Sequence, residues 1–85
     1  MFEVKLHRRV LKFLEKLNEA DRKRIISAIE GLKDPFSQPY EKLRGRKGVY
    51  RIRVGDYRVV YYVDKKNKIV SVLLVDKRER VYDRI

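Results

Sequence analysis

Residues 50–63 read YRIRVGDYRVVYYV, two alternating runs on either side of Gly55-Asp56, and this stretch decides the fold. A two-residue loop with glycine first closes a tight β-hairpin, because positive φ there suits the twist of the flanking strands. Folding about it sets Val54 opposite Tyr57, Arg53 opposite Arg58, Ile52 opposite Val59, Arg51 opposite Val60 and Tyr50 opposite Tyr61. Tyr50, Ile52, Val54, Tyr57, Val59 and Tyr61 then form one continuous core face. Arg51, Arg53 and Arg58 share the other, with Val60 and Tyr62 beside them. Arg53 facing Arg58 is a like-charge cross-strand pair, which destabilises an isolated sheet. Three guanidiniums gathered in this way call for an anion, and phosphate fits their fork of donors.

Outward from the hairpin, Phe2 to Leu6 alternates apolar residues with Glu3 and Lys5, predicting a short first strand. Val10, Phe13, Leu14 and Leu17 recur at helical spacing, so residues 8–17 predict an amphipathic helix. Asn18-Glu19-Ala20-Asp21 can end it and cap a second helix, which buries Ile25, Ala28, Ile29 and Leu32 and stops at Asp34-Pro35. Helices joined so closely form an αα-hairpin. Residues 35–47, with two prolines, predict a loop, followed by strands at about 48–54 and 57–64. Lys65 to Lys68 reads as a polar turn. Residues 69–75, IVSVLLV, read as a strand covered on both faces. Asp76 to Arg80 breaks that run, and Val81-Tyr82 predicts a last short extended piece. The result is one domain over residues 1–85, α+β, ordered β-α-α-β-β-β, with an antiparallel-rich sheet and a helical hairpin on one face. The helices cover the apolar hairpin face and leave the arginine face open.

Composition supports a polyanionic partner. The chain has 23 Lys and Arg against 12 Asp and Glu, a net charge of +11. Residues 1–41 carry nine basic and seven acidic side chains, whereas residues 42–85 carry fourteen and five. Charge concentrated in the strand-bearing half is the footprint of a polyanion. Lys42, Arg44, Arg46 and Lys47 in the loop, with Arg80 late in the chain, flank the arginine face as further RNA contacts. Tyr62 beside the arginines can stack an unpaired base.

Other chemistries are poorly supplied. With no cysteine there is no disulfide framework, thiol nucleophile or thiolate metal site. One histidine, His7, at a strand-to-helix junction suits a cap and makes a metal site an unpromising reading. Ser27, Ser37 and Ser71 have no histidine or acid placed to activate them. Gly45-Arg46-Lys47-Gly48 lacks the Gly-Lys-Ser/Thr of a phosphate-binding loop. No cofactor is implied. Residues 2–10, FEVKLHRRV, carry no apolar signal-peptide run and nothing approaches a membrane span, so the expectation is a cytoplasmic protein.

The words KLRGRKGVYRIRVGDYRVVY, residues 42–61, and VLLVDKRERVY, residues 72–82, resemble the RelE/ParE toxin superfamily, and in particular its RelE-like branch. That resemblance implies a type II toxin–antitoxin toxin, a metal-independent endoribonuclease that cuts mRNA in the ribosomal decoding site and so inhibits translation. It also implies an acidic RelB-like antitoxin, bound in a heterodimer or heterotetramer. Carried onto this chain, the family's catalytic positions are Arg51 and Arg53, Arg58, Arg78 and Tyr82. The family's alternating strand positions are lysines, one of them implicated as general base, and both are arginines here. Arginine, with a pKa above about 12, clamps phosphate but is a poor base. Base duty would fall to Lys77 or Tyr82, or to a group of the ribosome or RNA. A ParE-like gyrase inhibitor and a non-catalytic RNA-binding module on the same fold are the alternatives.

Overall fold

The structure, a computed structural model, describes residues 1–77. The expected extended piece at Val81-Tyr82 lies outside that range. Strand β1 (Glu3–Leu6) leads into helix α1 (Arg8–Glu15) and helix α2 (Glu19–Glu30), which ends in a 3-10 turn at Gly31–Lys33. Four strands follow: β2 (Glu41–Lys42), β3 (Val49–Val54), β4 (Tyr57–Asp64) and β5 (Ile69–Lys77). They form one sheet in the order β1-β5-β4-β3-β2. Only β1 and β5 pair parallel; the other pairings are antiparallel.

Local chemistry explains the helix ends. The His7 side chain accepts a hydrogen bond from the Arg9 amide at 3.1 Å, and Asn18 accepts from the Asp21 amide at 2.8 Å, so each helix has an N-cap. At the C-terminal end of α1, Arg22 reaches back to donate to the carbonyls of Leu14, Glu15 and Leu17 at 2.9, 3.3 and 2.6 Å. These carbonyls lie at a helix terminus, where acceptors lose their intrahelical partners, so one guanidinium fixes the αα-hairpin.

The hairpin register is the one expected, from Tyr50 opposite Tyr61 to Val54 opposite Tyr57. Val10, Leu14, Ile25, Ile29 and Leu32 of the helical layer pack against Ile52, Val54, Tyr57, Val59, Tyr61, Val63, Val70, Val72 and Val75 of the sheet. Three features depart from the sequence reading. Strand β5 does not break at Asp76 but runs on to Lys77. The proline-containing loop holds a short strand, β2, paired to β3. The face opposite the helices is not wholly open, because Val49, Val60 and Leu74 are buried there with Leu43 against them. That second, smaller core accounts for the unbroken apolar run in β5. Between the pairs Val60–Leu74 and Tyr61–Val72 the register shifts, leaving Leu73 as a bulge. The Leu73 carbonyl accepts from Arg9 Nε at 2.6 Å, tying the bulge to α1.

Tyr61 carries a testable consequence of this packing. It is fully buried, and its hydroxyl donates to the Pro35 carbonyl at 2.9 Å. Burial, aided by nearby Tyr40 and Tyr50, pushes its pKa up to about 12. An unfolded tyrosine ionises at about 10, so the unfolded chain releases this proton first. The stabilisation is complete below about pH 10 and is lost as the pH climbs towards about 12. Tyr61→Phe should cost about 1–2 kcal/mol at neutral pH by stranding the buried carbonyl. It should also flatten the alkaline loss in urea unfolding. Parental and variant proteins with parallel stability curves from pH 9 to 12 would refute this account.

Candidate nucleic-acid interface

Rows of side chains cross the face opposite the helices, and each row contains opposite charges or apolar neighbours. The first runs Arg53, Arg58, Asp76 across β3, β4 and β5. Arg58 stands at its centre and is 3 % exposed, as is Asp76. A buried carboxylate directly opposite resolves the like-charge problem of Arg53 against Arg58. Arg58 Nη1 also donates to the Tyr57 carbonyl at 3.4 Å, and Asp76 Oδ1 accepts from the Lys77 amide at 2.7 Å. Arg58, expected on an open surface, is therefore an interior guanidinium held within the sheet. Arg53 remains exposed.

The next row runs Glu41, Arg51, Val60, Leu74. Arg51 keeps 14 % of its side-chain surface exposed and Glu41 58 %, and their ion pair spans 3.2 Å from Nη2 to Oε2. The hydrogen bond from Arg51 and then its charge hold the Glu41 carboxyl below the usual range, with Arg53 and Arg58 adding to the effect. Carboxylates thus share the basic face, which the sequence reading did not anticipate. Glu41 is hidden from pattern reading because its strand is two residues long. Asp76 is hidden because the apolar run before it suggests that the strand has ended.

Leu43 anchors the loop after β2 onto Val49, Val60 and Leu74, next to the Arg51 row. The loop is closed by the Leu43 amide donating to the Val49 carbonyl at 2.9 Å and the Arg46 amide donating to the Leu43 carbonyl at 3.3 Å. Arg44, Arg46 and Lys47 project from it, exposed. Gly48, at φ +76°, lets the chain turn into β3 beneath the Tyr62 ring, whose Cε1 would lie 2.8 Å from an added Cβ. Tyr62 itself is 41 % exposed on the arginine face.

Two basic residues stand elsewhere. Lys77 is paired with Tyr57 and Lys42 with Tyr50, so strand alternation sets both in phase with the helix-covered side. Lys77 is thus out of step with the arginines as a base, and Lys42 is out of step with the other loop cations. Arg78, Arg80 and Tyr82 lie outside the described residues. Among the described residues, no group of three or more His, Cys, Asp or Glu side chains is placed to hold a metal ion. No helix there is long and apolar enough to cross a membrane.

Comparison with known proteins places this arrangement. The family model for the ParE toxin of type II toxin–antitoxin systems matches residues 4–82. A Methanocaldococcus jannaschii protein bearing the toxin name RelE1 is 35% identical over 85 residues, covering 95% of this chain and 94% of the relative. The structure is similar to that in the RelE–RelB complex from Pyrococcus horikoshii, with TM-score 0.78, 33% identity and coverage of 94% and 98% of the two chains. It is similar also to that in the RelBE toxin–antitoxin complex of Escherichia coli, with TM-score 0.79, 28% identity and coverage of 94% and 100%. The chain belongs to the RelE/ParE superfamily of type II toxin–antitoxin toxins, on its RelE-like branch.

Proposed function

We propose that this toxin is a ribosome-dependent endoribonuclease that cuts mRNA in the decoding site and so stops translation. The observation that carries the reading is the gathering of Arg51, Arg53 and Arg58 on one face. Internal attack by a ribose 2′-hydroxyl builds extra negative charge on a phosphorane, and preorganised guanidiniums stabilise it. Arg51 is held by its ion pair with Glu41 and Arg58 by burial opposite Asp76, so little reorganisation is needed when charge develops. Arg53, Arg44, Arg46 and Lys47 are open to the RNA backbone. Arg78 and Tyr82 complete the site by family resemblance.

The partner that neutralises it is an acidic RelB-like antitoxin in a heterodimer or heterotetramer, in line with the relatives solved as toxin–antitoxin complexes. A surplus of positive charge speeds capture of an acidic protein.

Purified toxin should leave naked mRNA largely intact and cut the same message when translating ribosomes are present, without added metal. The check is mapping of RNA ends with and without ribosomes. Equal cutting of free RNA would refute ribosome dependence. Gyrase-linked DNA breaks with intact mRNA would establish the ParE-like activity instead.

A further inference from the structure

Cleavage by the 2′-hydroxyl needs a proton acceptor, and arginines cannot supply one. Lys42 and Lys77 are set in phase with the opposite side of the sheet. Among the described residues, four carboxylates stand in register on the arginine face: Glu3, Glu41, Asp64 and Asp76. Glu3 is on β1, at the opposite edge of the sheet from β2, in the row it shares with Ile69 and Asp64. Asp64 lies six residues along β4 from Arg58, about 20 Å away, and its oxygens accept from the Asn67 amide and Nδ2 at 3.1 and 2.8 Å. Asp76 is buried, with Oδ1 taken by the Lys77 amide. Glu41 differs from these three. Its side chain is 58 % exposed, and Oε2 lies 3.2 Å from the Nη2 of Arg51.

We propose that Glu41 is the proton acceptor for the attacking 2′-hydroxyl. This rests on the endoribonuclease reading above. A phosphate oxygen taken up by Arg51 brings the adjoining ribose to the carboxylate that shares this guanidinium. Glu41 removes the 2′-proton, the 2′-oxygen bonds to phosphorus, and the P–O5′ bond breaks. The leaving 5′-oxygen takes a proton from solvent, and Glu41 returns its own to solvent. The products are a 2′,3′-cyclic phosphate and a free 5′-hydroxyl, so atoms and charge balance with no further reactant. The groups facing Glu41 are Arg51 and Arg53 on β3 and Arg58 on β4, all cationic, and they keep the carboxylate ionised through neutral pH. It is a weak base that is always available.

The test is single-turnover cleavage of a ribosome-bound message across pH, with ribosome binding measured for each variant. Glu41→Gln keeps the shape of the side chain and an oxygen for Arg51. It should cut about 100-fold more slowly at neutral pH, within the usual worth of general-base catalysis, at unchanged ribosome affinity. The parental rate should be flat from about pH 6 to 8.5. The Glu41→Gln rate should instead climb about tenfold per pH unit as hydroxide replaces the carboxylate. Glu41→Asp, a carboxylate one methylene shorter, should be slower than parent yet retain the flat profile. Parental speed in Glu41→Gln, or the same loss at every pH, would overturn the proposal; the second result would make Glu41 a positioning residue for Arg51. A parental protein that leaves the ribosome-bound message uncut would overturn the endoribonuclease reading, and this proposal with it.

Discussion

Arg58→Ala is expected to remove about 3–5 kcal/mol of folding stability, the usual cost of removing one of two opposite charges that are buried side by side. Small domains hold only about 5–15 kcal/mol in total, so the variant should unfold at much lower urea and accumulate poorly. The cause is Asp76, which sits opposite Arg58, is equally buried, and would lose the cation it faces across the strands. Replacing both with apolar residues of similar volume, Arg58→Met with Asp76→Leu, should recover most of the loss, because neither charge is then left in the interior. The double variant should nonetheless be inactive in cleavage. Urea unfolding of the two single variants and the double variant checks the argument. A loss below about 1 kcal/mol in Arg58→Ala would show that the two side chains do not depend on one another.

Arg53→Ala should do the reverse, leaving the fold intact and removing the chemistry. Its side chain is exposed and faces a like charge, so stability should move by no more than about 0.5 kcal/mol. Cleavage should fall by about 100- to 1,000-fold, the scale seen when one preorganised donor to a developing oxyanion is deleted. RNA or ribosome affinity should weaken modestly, and its dependence on salt should become shallower by about one counterion. Single-turnover rates and a salt titration of binding distinguish the two effects. Cleavage at the parental rate would remove Arg53 from the reaction. An unchanged salt slope would remove it from the phosphate contacts.

The contrast between these two neighbouring arginines marks the limit of what the sequence tells. Gly55-Asp56 and the flanking alternation are local signals, and they set every cross-strand pair of β3 and β4 correctly. Periodicity likewise identifies both helices and the residues they bury. The burial of Arg58 depends on a strand that arrives eighteen residues later, and no local pattern requires Asp76 to continue that strand. Glu41 is beyond pattern reading for a similar reason: two residues of edge strand have no periodicity, and residues 35–47 carry the prolines of a loop. Charges could be assigned to a face from the sequence, but their compensation could not. The distinction between an interior clamp and a surface contact came only with the third dimension.

The parallel pairing of β1 with β5 sets the order in which the molecule can be completed. Glu3 and Leu6 lie beside Ile69 and Val72, so β1 must wait for β5, more than sixty residues later, before it has a neighbour in the sheet. Until β5 docks, the β3–β4 hairpin holds Arg53 against Arg58 without the buried carboxylate of Asp76 opposite them, and the αα-hairpin covers only part of a sheet. Closing so long a loop is entropically costly and slow, and the partly built intermediate is electrostatically strained. Assembly is therefore cooperative and late: a growing chain cannot present its finished arginine face before nearly all of it has been made.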